Sequence, residues 1–367
     1  MTREVAVVGL GFSGFSSITP QVSYRELIYE AASRAYEEAG VNPRTDVGSF
    51  VCCEEDLWEG TSITDEYAPD QIGAAQRPTC TVTQDALNGV ANAIMHIASG
   101  ITEIAVVESH SKLSNVLSKD QVAAMALEPY YERPFLQNGL PAAALELRRY
   151  MHEKNIKEEA ASRIVVDNKR KGLRNPNACY AASLTVEDVE DSDLEWSPIR
   201  RLHVSQPADG CVVAVLASAS KAKSLTDSPI WISGIGWCSD SPWVSNRSFS
   251  AEYCRLAARK AYKMAGVESP ESSFDFAEVD DTIAHKEIQH GEALGILRQP
   301  SSLDFACPVN PSGGSLAMGD LCEANGLVRL AMAAQRLRDR DHAKGKALVM
   351  NWRGVPTATG TVAVLEV

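Results

Sequence analysis

"AASRAYEEAGV", residues 31–41, and "AARKAYKMAGV", residues 257–267, are one helix written twice. Ala31, Ala35, Tyr36, Gly40 and Val41 match Ala257, Ala261, Tyr262, Gly266 and Val267. The small residues fall at helical spacing and define a packing face, and the glycine just past the periodic run is a C-cap. The flanks repeat as well. "VAVVGLGF" (5–12) answers "IWISGIGW" (230–237), and the strands "VGSFVCCEE" (47–55) and "FDFAEVDD" (274–281) follow the two helices. The order β, α, β in both halves predicts a duplicated unit in mixed α/β layers.

A third match extends the duplication. "TQDALNGV" (83–90) corresponds to "DLCEANGL" (320–327), which sets Asn88 and Gly89 against Asn325 and Gly326 and places Thr83 opposite Asp320 at the starts of two helices. Each of these helices is followed by a strand, "EIAVVES" (103–109) and "KALVMNW" (346–352). The expected organisation is residues 1–111 and 201–225 as the first half, 112–200 as an inserted cap region with helical periodicity, and 226–367 as the second half. In the insertion, "RRYMHEKNIKEEAASRIVVDNKRKGLRNP" gathers basic residues on a solvated helical face or a phosphate-binding surface.

Composition limits the function classes. The formal net charge of −13 argues against a duplex nucleic-acid binder, whose phosphate contacts require a concentrated basic face. No apolar run approaches the length of a membrane span and the first residues lack a signal-peptide core, so a cytoplasmic protein without a membrane partner is expected. The nine cysteines show no metal-ligand spacing, so no metal site is expected in this chain. "GLGFSG" (9–14) fits the dinucleotide fingerprint, but Pro20 follows where a helix should begin and the second copy keeps only Gly234 and Gly236. It is set aside.

A duplicated α/β unit with a cap inserted after its first half resembles the thiolase superfamily, over essentially the whole chain. "NPNACYAASLTVEDVEDS" (175–192), "ADGCVVAVLAS" (208–218), "AEVDDTIAHKEIQHGEALGI" (277–296) and "VNPSGGSLAMGD" (309–320) are similar to its branch related to sterol carrier protein thiolases. "CEEDLWEGTSITDEY" (53–67), "VESHSKLS" (107–114) and "VDDTIAHKE" (279–287) resemble thiolase-like subunits that act with a small zinc-ribbon, OB-fold protein. The resemblance implies a thiolase fold with αβαβα layers, a homodimer formed through the first-half sheet, and coenzyme A or acyl-CoA as substrate. It implies no covalently bound cofactor, with zinc only in the partner subunit.

Thiolases acylate a cysteine thiolate at a helix N-terminus, move the α-proton with histidines and a second cysteine, and stabilise the enolate oxygen with fixed donors. Carried onto this chain, the nucleophile position falls on Thr83 and the histidine of the Gly-His-Pro loop on Asp320. The histidine of the His-Asp-Ala-Phe loop falls on Asp280, with Asp281 as its carboxylate, and the second cysteine falls near Trp352. Thr83 reads as a nucleophile or as a helix N-cap. Cys80 and Cys322 are alternative acyl carriers or packing residues.

Asp280 and Asp320 read as an acid/base pair or as loop and cap residues. His285 is a substitute imidazole or a structural histidine. Asn310, with Gly313 and Gly314, matches the family's pocket-lining turn, where glycines admit close backbone approach. Lys169, Arg170 and Lys171 are the candidate contacts for CoA phosphates.

The function expected from the resemblance is formation or cleavage of a carbon–carbon bond beside a CoA thioester, by Claisen or retro-Claisen acyl transfer in a heteromeric complex. Two alternatives stand beside it: retro-aldol cleavage without a covalent intermediate, as in aldolases of the same branch, and a catalytically silent scaffold subunit.

Overall fold

The structure is a computed structural model that describes residues 4–116, 119–241, 250–338, 344–354 and 358–367. Nine strands build its main sheet: β1 (Val5–Ser16), β2 (Ser49–Cys53), β3 (Thr79–Val82), β4 (Ile104–Lys112), β5 (Asp209–Ser218), β6 (Ile230–Ser239), β7 (Phe276–Glu278), β8 (Lys346–Arg353) and β9 (Thr359–Glu366). Their order is β3-β2-β4-β5-β1-β6-β9-β8-β7. Apart from the edge strand β3, the order mirrors about the β1/β6 junction, which itself holds only two residue pairs, Ala6 with Trp231 and Val7 with Ile230. β2 runs parallel to β3 and β4, and β7 runs parallel to β8, whereas β5 and β9 are antiparallel to their neighbours. The duplication read from the sequence is therefore a duplication of topology.

Alternation along the strands assigns the layers. Val5, Val7, Ala105 and Val107 face inward with Ala347 and Val349, whereas Ala6, Val8, Ile104 and Val106 face the opposite way. Two helices fill the inner layer, α2 (Ala86–Ser99) and α8 (Asn325–Arg338), packing Leu87, Val90, Leu327 and Leu330 between the half-sheets. The repeated helices α1 (Tyr24–Ala39) and α5 (Glu252–Ala265) cover the two outer faces. The result is α/β/α/β/α, and strands buried on both faces read as unbroken apolar runs.

The paired Gly-x-Gly motifs now have a packing role. A Cβ on Gly9 or Gly11 would lie 2.4 or 1.8 Å from the carbonyl oxygens of Ala35 and Ala31, and one on Gly234 or Gly236 would lie 2.1 or 2.4 Å from those of Ala261 and Ala257. The glycines let each outer helix lie directly on its strand, which is why alanines face them in both copies.

Between β4 and β5 run α3 (Leu140–Lys154) and α4 (Glu159–Gly172), with shorter helices around them. They pack on α6 (Ala284–Ala293) and α7 (Gly314–Met318) of the second half. Among the described residues no helix is long and apolar enough to cross a membrane.

Candidate active site

The C-terminal ends of the parallel strands in both halves converge where α2 and α8 begin. α2 starts at Ala86 and its N-cap is Asp85, not Thr83, which lies exposed two residues before the cap. The expectation that Thr83 opens this helix is corrected: Asp is the stronger N-cap type, and its side chain reaches back into the first turn. Asp85 Oδ1 accepts from Leu87 N at 2.8 Å. Its Oδ2 accepts from Gly326 N at 3.0 Å and from Asn351 Nδ2 at 2.5 Å. Donors from α2, α8 and β8 thus meet on one buried carboxylate. A Cβ at Gly326 would sit 2.0 Å from Asp85 Oδ1, so the glycine of the repeated Asn-Gly pair makes room for this contact. Burial pushes the Asp85 carboxyl up to about 7 against the pull of the two backbone donors and Arg329.

Behind Asp85 stands Arg329, buried on α8. Its guanidinium donates to Asn351 Oδ1, to Asp281 Oδ1 at 3.0 Å and to Ser315 Oγ at 2.8 Å, and lies 3.3 Å from Asp280 Oδ2. Asp281 also accepts from Ser315 N (2.6 Å), Leu316 N (3.2 Å) and Asn168 Nδ2 (3.0 Å). It therefore ties α7 and α4 to the loop after β7. Asp280 accepts from Thr282 N and Oγ1 at 3.1 and 2.7 Å, and burial raises its carboxyl despite Arg329.

The outer rim of the site carries the second-half loop. Asp320 Oδ2 pairs with Lys119 at 2.7 Å, and its Oδ1 accepts from Cys322 N and Asn325 Nδ2. Burial raises the Asp320 carboxyl, but Lys119 and these donors outweigh it and hold the group below the usual range. Asp320 is thus a stable anion and Asp85 is the group poised between acid and base. Asp280 and Asp320 share no partner among the described contacts, so the expected Asp280/Asp320 pair is not assembled as a pair. Cys322 follows at φ +51, and Arg353 lies beyond it, bridging Glu55 and Glu323.

The other candidates divide into those the fold brings together and those it does not. Cys80 is half-buried on β3, and burial raises its thiol; Cys322 is pushed further up by burial and by Asp320 and Glu323. Neither is an activated thiolate. His285 is buried on α6, 3.9 Å from Glu146 Oε2, and burial lowers its pKa; it does not reach Asp85 or Asp280 by any hydrogen bond. Asn310 braces the loop after β7, accepting from Val279 N and donating to Glu287 Oε2, each at 2.7 Å.

The two glycines after Asn310 both have positive φ. At Gly314 a Cβ would lie 2.1 Å from Asp281 Oδ2, and at Gly313 one would meet Ala317 and the backbone of Gly172. Lys169 turns inward to the carbonyls of Tyr180 (3.1 Å) and Leu316 (2.9 Å), and Lys171 turns to that of Val309 (2.9 Å). Arg170 alone of the three is exposed, paired with Asp167. At the end of β8 it is Asn351 that faces Asp85, whereas Trp352 points to the outer face, under the Lys286 ammonium. Adjacent strand residues face opposite ways, so a shift of one residue moves the assignment from Trp352 to Asn351.

Sequence reasoning missed Asp85, Arg329 and Asn351. Asp85 carried a usable signal, an Asp directly before an apolar helical run. Arg329 carried none, because a single cation in a helix reads as surface until its partners are known.

No family model matches the chain. Acetyl-CoA acetyltransferase of Methanothermobacter thermautotrophicus is 28% identical over 361 residues, covering 92% of this chain and 91% of that protein. A steroid side-chain-cleaving aldolase of Thermomonospora curvata is 25% identical over 388 residues, 96% of each. Human mitochondrial 3-ketoacyl-CoA thiolase superposes with a TM-score of 0.80 at 16% identity, over 100% of this chain and 99% of that one. The chain is a thiolase-fold protein, with sheet halves and paired inner helices laid out as in that enzyme. Its sequence is similar to that acetyltransferase and that aldolase over nearly the whole of each.

Proposed function

We propose that this chain makes or breaks a carbon–carbon bond beside the thioester of an acyl-CoA, by proton transfer rather than through an acylated side chain. The observation that carries this reading is the buried carboxylate of Asp85 at the start of α2, where a thiolase needs a thiolate. A carboxyl near 7 exchanges a proton in either direction at neutral pH. In the retro-aldol direction Asp85 takes the hydroxyl proton of a β-hydroxyacyl thioester. The Cα–Cβ bond then breaks, Cβ becomes a carbonyl carbon, and the electron pair passes to the thioester enolate. The proton returns from Asp85 to Cα. Asn88, in the first turn of α2, offers a buried Nδ2–H that has no hydrogen-bond partner, a fixed donor of the kind an enolate oxygen requires. Relatives that are an acetyltransferase and a side-chain-cleaving aldolase support carbon–carbon chemistry in either direction.

A covalent Claisen route would run through Cys80 or Cys322, and intact-protein mass spectrometry separates the two. After incubation with acetyl-CoA, benzoyl-CoA and succinyl-CoA the expected spectrum shows no acyl adduct, and Cys80→Ser and Cys322→Ser leave turnover within about two-fold of the parent. An adduct mapped to either cysteine would replace the non-covalent route with the covalent one.

A second reading, the silent scaffold, is favoured by one observation: Asp85, Asn351, Arg329, Asp280 and Asp281 are buried and most of their polar atoms are taken up within the cluster. Loss of activity in Asp85→Asn excludes it. The proposed assembly is a homodimer through β3, a partly exposed edge strand paired only with β2, together with a zinc-ribbon/OB-fold subunit, as the family resemblance implies. The proposed units are residues 1–111 with 201–225, the cap 112–200, and 226–367. Of Lys169, Arg170 and Lys171, Arg170 is the exposed one, and it is the proposed contact for a CoA phosphate.

A further inference from the structure

We infer that Arg329, which makes no hydrogen bond to Asp85, acts as a positioning residue that orients Asp85 through the carboxamide of Asn351. The inference rests on the reading of Asp85 as the proton-transfer group and names what regulates it. A carboxamide has a donor end and an acceptor end. Two neighbours set its direction: the Trp352 carbonyl, which only accepts, lies 3.3 Å from Nδ2, and Arg329 stands at Oδ1. A guanidinium only donates, so Asn351 must turn Oδ1 toward Arg329 and Nδ2 toward Asp85, as observed. If Asn351 flipped, its Oδ1 would face the Asp85 carboxylate, and only a proton on Asp85 would relieve the repulsion.

The guanidinium is held in turn from the other side. Asp281 and Ser315 accept from it at 3.0 and 2.8 Å, and Asp280 lies 3.3 Å away. Asp281 is bonded to the N-terminus of α7 and to Asn168 of α4, so a chain of contacts runs from the cap helix α4 through Asp281, Arg329 and Asn351 to Asp85. The charged and titratable groups around this chain are Asp280 and Asp281 from the loop after β7, Glu278 of β7, Glu287 of α6, Lys169 and Lys171 of α4, Asp85 before α2, and Cys53 of β2. Arg329 is the cation that Asp280, Asp281 and Asp85 share, and Asn351 is its contact with Asp85.

The test is a double-mutant cycle read by carbon-13 NMR of the Asp85 carboxyl in the full-length chain: parent, Arg329→Gln, Asn351→Leu and the double variant, with Arg329→Lys as the conservative control. Arg329→Gln and Asn351→Leu should each raise the Asp85 midpoint by about one unit. Arg329→Lys, still a donor-only cation, should restore the parent midpoint. In the Asn351→Leu background Arg329→Gln should lose at least half of its effect. An equal Arg329→Gln shift in both backgrounds, or none in either, overturns the relay. If Arg329→Gln does not fold, an unchanged midpoint in Asn351→Leu overturns it by itself. Failure of the underlying reading looks different: the midpoints move as expected while Asp85→Asn exchanges acyl-CoA α-protons as fast as the parent.

Discussion

Asp281→Ala should cost about 3–5 kcal/mol of stability, the range for removing one partner of a buried ion pair. Against whole-domain stabilities of roughly 5–15 kcal/mol, that is a large fraction of the total. Four donors lose a hydrogen bond at once: Arg329 Nη2, which keeps Ser315 Oγ, Asn168 Nδ2, which keeps Glu287 Oε2, and the backbone N–H groups of Ser315 and Leu316. The last two open α7, and Gly314 has a positive φ and no Cβ because the Asp281 carboxylate fills that space. No other group among the described residues bonds these four donors together, so no local rearrangement replaces the carboxylate. Urea denaturation monitored at the tryptophans measures the cost. A loss below about 1 kcal/mol would mean that the cluster is wet and loosely held rather than a closed network.

The second large effect concerns Asp85 and pH. Burial pushes this carboxyl up from its ordinary 3.8 to about 7, so the native state favours the protonated form. The sign follows. Below pH 4 the group is protonated in both states and contributes nothing. As pH rises from about 4 to about 7 the unfolded chain releases its proton first and native stability falls; above 7 the full penalty, on the order of 4 kcal/mol, is in place. Asp85→Asn removes this titration. The difference in unfolding free energy between Asp85→Asn and the parent should therefore move in favour of the variant, by up to about 4 kcal/mol, between pH 4 and pH 8. A difference that stays flat across that window would show that Asp85 is an ordinary ionised cap.

The repeat made the architecture legible. Matching helices, strands and Gly-x-Gly pairs fixed the order of elements in each half, and burial of both strand faces made the apolar runs easy to find. The site was legible only at the level of loops. Asp280, Asp281, Asn310 and Asp320 do lie on loops at the strand ends, because each is the residue just beyond an apolar strand or a glycine turn. The differences are of register by one or two residues: the cap of α2 is Asp85 rather than Thr83, and at the end of β8 Asn351 rather than Trp352 turns toward it. Helix starts and strand ends are where a shift of one residue turns a side chain from the site to the opposite face.

The lysines of α4 show a different limit. Charge pattern places Lys169 and Lys171 at the surface, yet a helix packed on two sides turns them onto backbone carbonyls, where burial lowers the Lys169 pKa. Arg329 is the extreme case. Its role is set by Asp280, Asp281, Ser315 and Asn351, which are scattered over some seventy residues of sequence and meet only in the fold.

The most direct measurement is proton NMR of acetyl-CoA in deuterium oxide, following loss of the α-proton signal in the presence of the chain with any co-purifying subunit. Proton-transfer chemistry at the thioester α-carbon predicts α-proton exchange with no acyl-enzyme, slowed by about 10²–10⁴-fold in Asp85→Asn, the usual range for a general acid/base group. Exchange at the same rate in Asp85→Asn, or no exchange although acetyl-CoA binds, would contradict the account.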